Sequence, residues 1–118
     1  MIQIKDINVL EGMLKHPAHP KLIALLKWFA VRFSQTVITC AFEERDYPSV
    51  HCTIPLRGVD VRSRVFENPV GVVEDINKHF TYDPQRPGLT CALYHDTGRG
   101  PHIHLQVHDR TERAREEL

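Results

Sequence analysis

The sequence predicts an α+β domain, with helices packed on one face of a mostly antiparallel sheet. Three observations predict it. Three segments carry apolar residues at helical spacing. Four short runs are β-branched or strictly alternating. Their order, α, α, β, β, α, β, β, is that of helices laid on such a sheet. With 118 residues and 13.6 kDa, the chain is large enough for one core and too small for two. Residues 1–109 are expected to form that single domain, and the charged residues 110–118 a solvated tail.

The elements follow in order along the chain. Ile7 to Lys15 places Val9, Leu10, Met13 and Leu14 on a short helix. His16-Pro17-Ala18-His19-Pro20 interrupts it, and Pro20 suits the first turn of a second helix. That helix runs to about Phe33 and is the core helix, with Leu22, Leu25, Leu26, Phe29 and Phe33 at helical spacing. Thr36 to Phe42 is rich in β-branched residues and reads as a strand. Glu43 to Pro55 is a polar loop, and Leu56 to Arg62 a second, alternating strand. Asn68-Pro69 supplies an N-cap and an N1 proline. Val70, Val73, Ile76 and Phe80 then predict a third helix. Leu89 to Tyr94 is a third strand, Asp96 to Pro101 a Gly/Pro loop, and His102 to His108 a fourth strand.

Composition narrows the function. Fifteen Lys and Arg balance fifteen Asp and Glu, and the pI is about 7.1, so a phosphate reader working through a broad basic field is not expected. Met1 to Asp6 lacks a basic stretch followed by an apolar run, so no secretory signal is expected. Leu22 to Phe33, the most apolar stretch, is broken by Lys27 and Arg32 and is too short to span a bilayer. The expectation is a soluble protein made in the cytoplasm. Cys40, Cys52 and Cys91 form no CxxC pair, against both a disulfide framework and a thiolate zinc site. Cys40 and Cys91 sit in apolar runs and read as buried small hydrophobes.

Histidine is the unusual residue: eight in all, five of them between His79 and His108. On the last strand, alternation puts His102, His104, Gln106 and His108 on one face and Ile103, Leu105 and Val107 on the other. On the second strand, Gly58, Asp60 and Arg62 share a face, and His51 lies just upstream. His51, Asp60 and His104 together offer two imidazoles and a carboxylate. Three such ligands with a fourth position left to water make a catalytic zinc site. Asp96, beside Tyr94 and His95, is a carboxylate placed to act as its base, although Asp-Thr-Gly is also good turn chemistry. Likewise, the histidine face reads alternatively as an ordinary exposed strand, and Asp60 as a salt-bridge partner of Arg57, Arg62 or Arg64. His16 and His19 read as surface or capping residues, His79 as a helix C-terminal cation, and His108 as solvent-exposed.

Ser49-Val50-His51, Arg57-Gly58-Val59-Asp60-Val61 and His102-Ile103-His104 resemble, in that order, the zinc motifs of the D-Ala-D-Ala carboxypeptidase and hedgehog signalling-domain superfamily. Leu93-Tyr94-His95-Asp96 is similar to the aromatic and acidic run preceding the hedgehog His-Ile-His strand. The resemblance covers roughly Val37 to Val107. It implies Zn²⁺ held by His51, Asp60 and His104, with Asp96 as general base and His102 beside the metal, steadying the oxyanion. Arg57, Arg62 and His95 would then lie near the substrate. The implied activity is hydrolysis of short peptides, above all peptidoglycan stem peptides, in a carboxypeptidase or endolysin-like protein of phage or prophage type. The alternative on the same fold is a catalytically inactive zinc-binding or virion-associated module. A cupin-like HxH barrel fits less well, because the helices at 20–33 and 69–80 do not suit a barrel. The chain also departs from the pattern. The loops before Asp60 and His104 are longer, the base is Asp rather than the commoner Glu, and Ala41-Phe42-Glu43 replaces a segment that brings a substrate-binding Arg. Arg45, Arg57 or Arg62 would substitute for it. Glu43-Glu44 resembles the hedgehog acidic cluster that binds calcium.

Overall fold

The computed structural model describes residues 2–43, 48–96, 98 and 100–114. Its elements are β1 (Ile2–Ile4), α1 (Ile7–Lys15), α2 (Pro20–Arg32), β2 (Thr36–Cys40), a 3₁₀ turn (Val50–Cys52), β3 (Gly58–Arg62), α3 (Pro69–His79), β4 (Phe80–Thr81), β5 (Ala92–Asp96), β6 (Pro101–Gln106) and β7 (Glu112–Arg113). This is an α+β chain with a mostly antiparallel sheet, as the sequence predicts. Five strands are ordered β1-β2-β3-β6-β5; only the β1–β2 pair is parallel. β4 and β7 form a separate two-stranded sheet.

Local chemistry explains the helix starts. The Asp6 carboxylate accepts from the Val9 amide at 3.0 Å and opens α1. His19 caps α2, its Nδ1 accepting from the Lys21 amide, with Pro20 in the first turn. The Asn68 side chain accepts from the Gly71 amide and Pro69 follows it. Helix α2 buries Leu22, Leu25, Leu26, Trp28 and Phe29, while Val31 on its outer side is 90% exposed. These residues pack with Ile38, Val59, Val61, Ala92, Ile103 and Leu105 from the sheet and with Val72 and Ile76 from α3. On α3 the expectation for Val70 fails: it is half exposed and Val72 takes the buried position.

Three differences from the sequence reading bear on function. First, β2 pairs Ile38 with Val61 but Cys40 with Asp60, an irregularity of the bulge type. Two β2 steps oppose one β3 step, so Cys40 leaves the core parity of Ile38 and joins the face of Asp60. Cys91, by contrast, is fully buried as expected. Second, β5 begins at Ala92 rather than Leu89 and carries Asp96 as a strand residue. The Asn77 carboxamide on α3 exchanges two hydrogen bonds with the amide and carbonyl of Ala92, which fixes where the strand starts. Third, the described part of the segment from Arg110 is anchored to the domain, although Arg110, Glu112, Arg113 and Ala114 are exposed. Arg110 pairs with the buried Asp83 carboxylate, Thr111 is buried and donates to the Tyr82 carbonyl, and β7 pairs with β4. Residues 115–118 lie outside the described residues. Among the described residues, no helix is long and apolar enough to cross a membrane.

Candidate metal centre

The strand registers assemble the site. Residues directly opposite one another in an antiparallel pair share a face. Asp60 stands opposite His104, Arg62 opposite His102, and Gly58 opposite Gln106. His95 stands opposite His102, and Leu93 opposite His104. One face therefore carries Cys40, Asp60, Arg62, His95, His102, His104 and Gln106. The other gives Val59, Val61, Ile103 and Leu105 to the core.

His51 reaches this face from the 3₁₀ turn. The Ser49 hydroxyl accepts from the His51 amide at 3.2 Å and caps the turn, which accounts for Ser two residues before the histidine. The His51 carbonyl in turn accepts from the Glu43 amide at 2.8 Å. Gly58 lets the turn approach, because a Cβ there would run into the Val50 side chain.

His51, Asp60 and His104 are only 3%, 6% and 6% exposed, so their polar atoms need partners inside the protein. Asp60 Oδ1 lies 2.9 Å from His104 Nδ1 and 3.3 Å from His51 Nε2; Oδ2 lies 3.3 Å from His102 Nε2. The other nitrogen of each buried imidazole faces an acceptor. His51 Nδ1 is 2.9 Å from the Ala41 carbonyl oxygen. His104 Nε2 is 3.1 Å from Gln106 Oε1, and the Gln106 amide nitrogen donates to the Thr90 carbonyl, which fixes the amide's orientation. Each imidazole thus donates outward and turns its remaining nitrogen on one carboxylate oxygen. Two nitrogen lone pairs and an oxygen anion converge, and that arrangement requires a cation between them. Without a metal the cation is a proton. Burial alone would lower the His51 pKa, but the bond to Asp60, helped by Cys40, raises it to about 10. Burial alone would raise that of Asp60, but its imidazole partners hold it well below the usual carboxylate range.

A metal ion is the other cation that fits. Donor atoms of Cys40, His51 and Asp60 lie within 4.8 Å of one another, as do those of Asp60, His95 and His104. These side chains are positioned to hold a metal ion. Asp60 belongs to both groups; of the residues that the sequence singles out, His51 falls in one group and His104 in the other, joined through Asp60. Carbonyl and amide acceptors behind each ring are the usual means of orienting metal-bound histidines.

The remaining candidates divide. His95 and His102 stand in the cluster, with ring centres 4.6 Å apart. Asp96 does not. The register puts it on the opposite face from His95, and its carboxylate accepts from the amides of Gly98 and Gly100 at 2.8 and 3.1 Å. Arg57 shares the parity of Val59 and reaches the Tyr82 hydroxyl and Val107 carbonyl. Arg62 lies on the cluster face at the register of His102. Glu43 accepts from the Cys40 thiol at 3.2 Å; its neighbours Glu44 and Arg45 lie outside the described residues. His16 stacks on Phe42, His79 bonds back to the Asp75 carbonyl, and His108 is half-buried beside Tyr82. Sequence alternation places Gln106 on the site face without giving it a role. Cys40 and the Ala41 carbonyl carry no sequence signal, because the bulge and the loop position them. Comparison of the chain with protein-family models, curated proteins and solved structures finds no match.

Proposed function

We propose that this chain binds a zinc ion through His51, Asp60 and His104 and hydrolyses short peptides, cell-wall stem peptides being the substrate class that the resemblance implies. One observation carries the metal assignment: two buried imidazoles, each oriented by an acceptor behind it, converge on a single carboxylate oxygen. The donor set is nitrogen and carboxylate oxygen, which suits zinc. When bound, the ion supplies Lewis acidity towards a peptide carbonyl and towards a water. His102, only partly buried, stands beside this centre with Nε2 3.3 Å from the second Asp60 oxygen and Nδ1 3.4 Å from the Gly100 carbonyl, so steadying an oxyanion would require its ring to leave Asp60.

A second reading keeps the metal and omits hydrolysis, as a zinc-binding module. It is favoured by Asp96, whose carboxylate is engaged by the Gly98–Gly100 turn on the far face of the strand. The test is metal analysis of purified protein and of His104→Ala, with cleavage of a stem pentapeptide followed by chromatography. Zinc in the wild type, lost in His104→Ala, together with cleavage supports the first reading. Zinc with no cleavage supports the second. Wild-type protein that takes up no zinc overturns both.

A further inference from the structure

The three-ligand centre leaves His95 without a role, yet its imidazole stands beside two of the three ligands, Asp60 and His104. His95 is on β5, opposite His102. Its ring centre is 5.5 Å from that of His104. Its donor atom lies within 4.8 Å of donor atoms of both Asp60 and His104. Tetrahedral zinc with nitrogen and oxygen donors holds them about 3.3 Å apart, so closing the group of Asp60, His95 and His104 needs a contraction of at most about 1.5 Å, and His51 joins that group through its shared partner Asp60.

Cys40 is the competing fourth donor, and its position argues against it. Its sulfur lies within 4.8 Å of a donor atom of Asp60, but the His51 nitrogen it approaches, at 3.7 Å, is Nδ1, which is committed to the Ala41 carbonyl. Its thiol also donates to Glu43. Cys40 therefore groups with His51 and Asp60, whereas His95 groups with Asp60 and His104.

We propose that His95 completes a closed centre of three imidazoles and one carboxylate, so that any carbonyl reaching the metal must first displace it. This rests on the metal-centre reading above and adds a ligand that controls access to it. β5 lies at one end of the sheet order, so His95 moves without breaking a strand pairing on its far side.

The test uses zinc, cobalt and acetohydroxamate, a small chelating anion. Wild type, His95→Ala and His95→Asn are loaded with each metal, and circular dichroism verifies that each is folded. The expected result is a loss of zinc affinity of at least about tenfold in both variants, with a changed cobalt absorption spectrum. Acetohydroxamate should alter the cobalt spectrum of His95→Ala at concentrations that leave the wild type unchanged. Equal affinities and equal hydroxamate responses in folded variants would overturn the assignment. So would an intense near-ultraviolet thiolate-to-cobalt band abolished by Cys40→Ser, which would assign the position to Cys40. A wild type that binds neither metal is a separate result and overturns the metal centre itself.

Discussion

The orientation of His104 rests on one residue two positions along its own strand, and Gln106→Leu isolates that residue. The Gln106 carboxamide accepts from His104 Nε2 at 3.1 Å and donates to the Thr90 carbonyl at 2.8 Å. Leucine keeps the volume and removes the acceptor. His104 is 6% exposed, so water does not freely replace the lost partner. A buried donor left unpaired costs about 1–3 kcal/mol. Removing the partner behind a metal-bound histidine typically weakens metal affinity about 10–100-fold, or about 1.4–2.7 kcal/mol. The expected outcome is a zinc affinity about 10–100-fold below wild type in a folded protein. Competition against a chromophoric chelator measures the affinity, and circular dichroism verifies the fold. Gln106→Glu keeps the acceptor but loses the donor to Thr90, and should fall between the two. An affinity within about threefold of wild type for folded Gln106→Leu would refute the assigned His104 orientation, and with it the convergence on Asp60.

Three further outcomes follow from the same geometry. Gly58→Ala forces the Val50 side chain away from β3, so the turn carrying His51 shifts; zinc affinity should fall at least about tenfold, while far-ultraviolet circular dichroism stays close to wild type. Phe29→Ala, at the centre of the core against Phe33 and Phe66, should cost about 3–5 kcal/mol in urea unfolding with little change in the denaturant slope. For protein stripped by a chelator, His51 binds its proton more tightly folded than unfolded. Its stabilisation is complete below the ordinary imidazole value of 6.5 and is lost as pH rises towards about 10. The depressed Asp60 acts oppositely: its contribution is present above 3.8 and is lost as pH falls below that value. Stability of the stripped protein should thus decline on both sides of a plateau between those limits. In His51→Gln the alkaline decline should shrink, and an unchanged alkaline limb would count against the buried His51–Asp60 pair.

What the sequence shows and what it hides have physical causes. Alternation of His102, His104 and Gln106 against Ile103, Leu105 and Val107 displays the site face directly, because one face is polar and the other packs on helices. Asn68-Pro69 and the Leu22–Phe29 spacing mark α3 and α2 for equally local reasons. Three features are set by distant partners. The Cys40 bulge depends on how β2 slides against β3, so strand periodicity assigns the thiol to the core. Asp96 looks like a loop carboxylate because the start of β5 is set by Asn77, fifteen positions before Ala92 and on a helix. Arg110 reads as part of a charged end until Asp83, 27 residues away, appears as a buried carboxylate needing a guanidinium.

The Asn77 carboxamide bonded to Ala92 has a consequence for how the molecule meets others of its kind. An end strand normally offers a ladder of unmet amides and carbonyls that a foreign strand can copy. Here the Gln106 amide bonds to the Cys91 carbonyl, so Cys91, Leu93 and His95 turn their backbone groups inward, and Ala92 and Tyr94 turn theirs outward. Asn77 answers the first outward pair as a peptide unit would, and acts as a one-residue counterfeit strand. Sheet growth along β5 is thereby blocked at its entrance, before an invading chain reaches the histidine face.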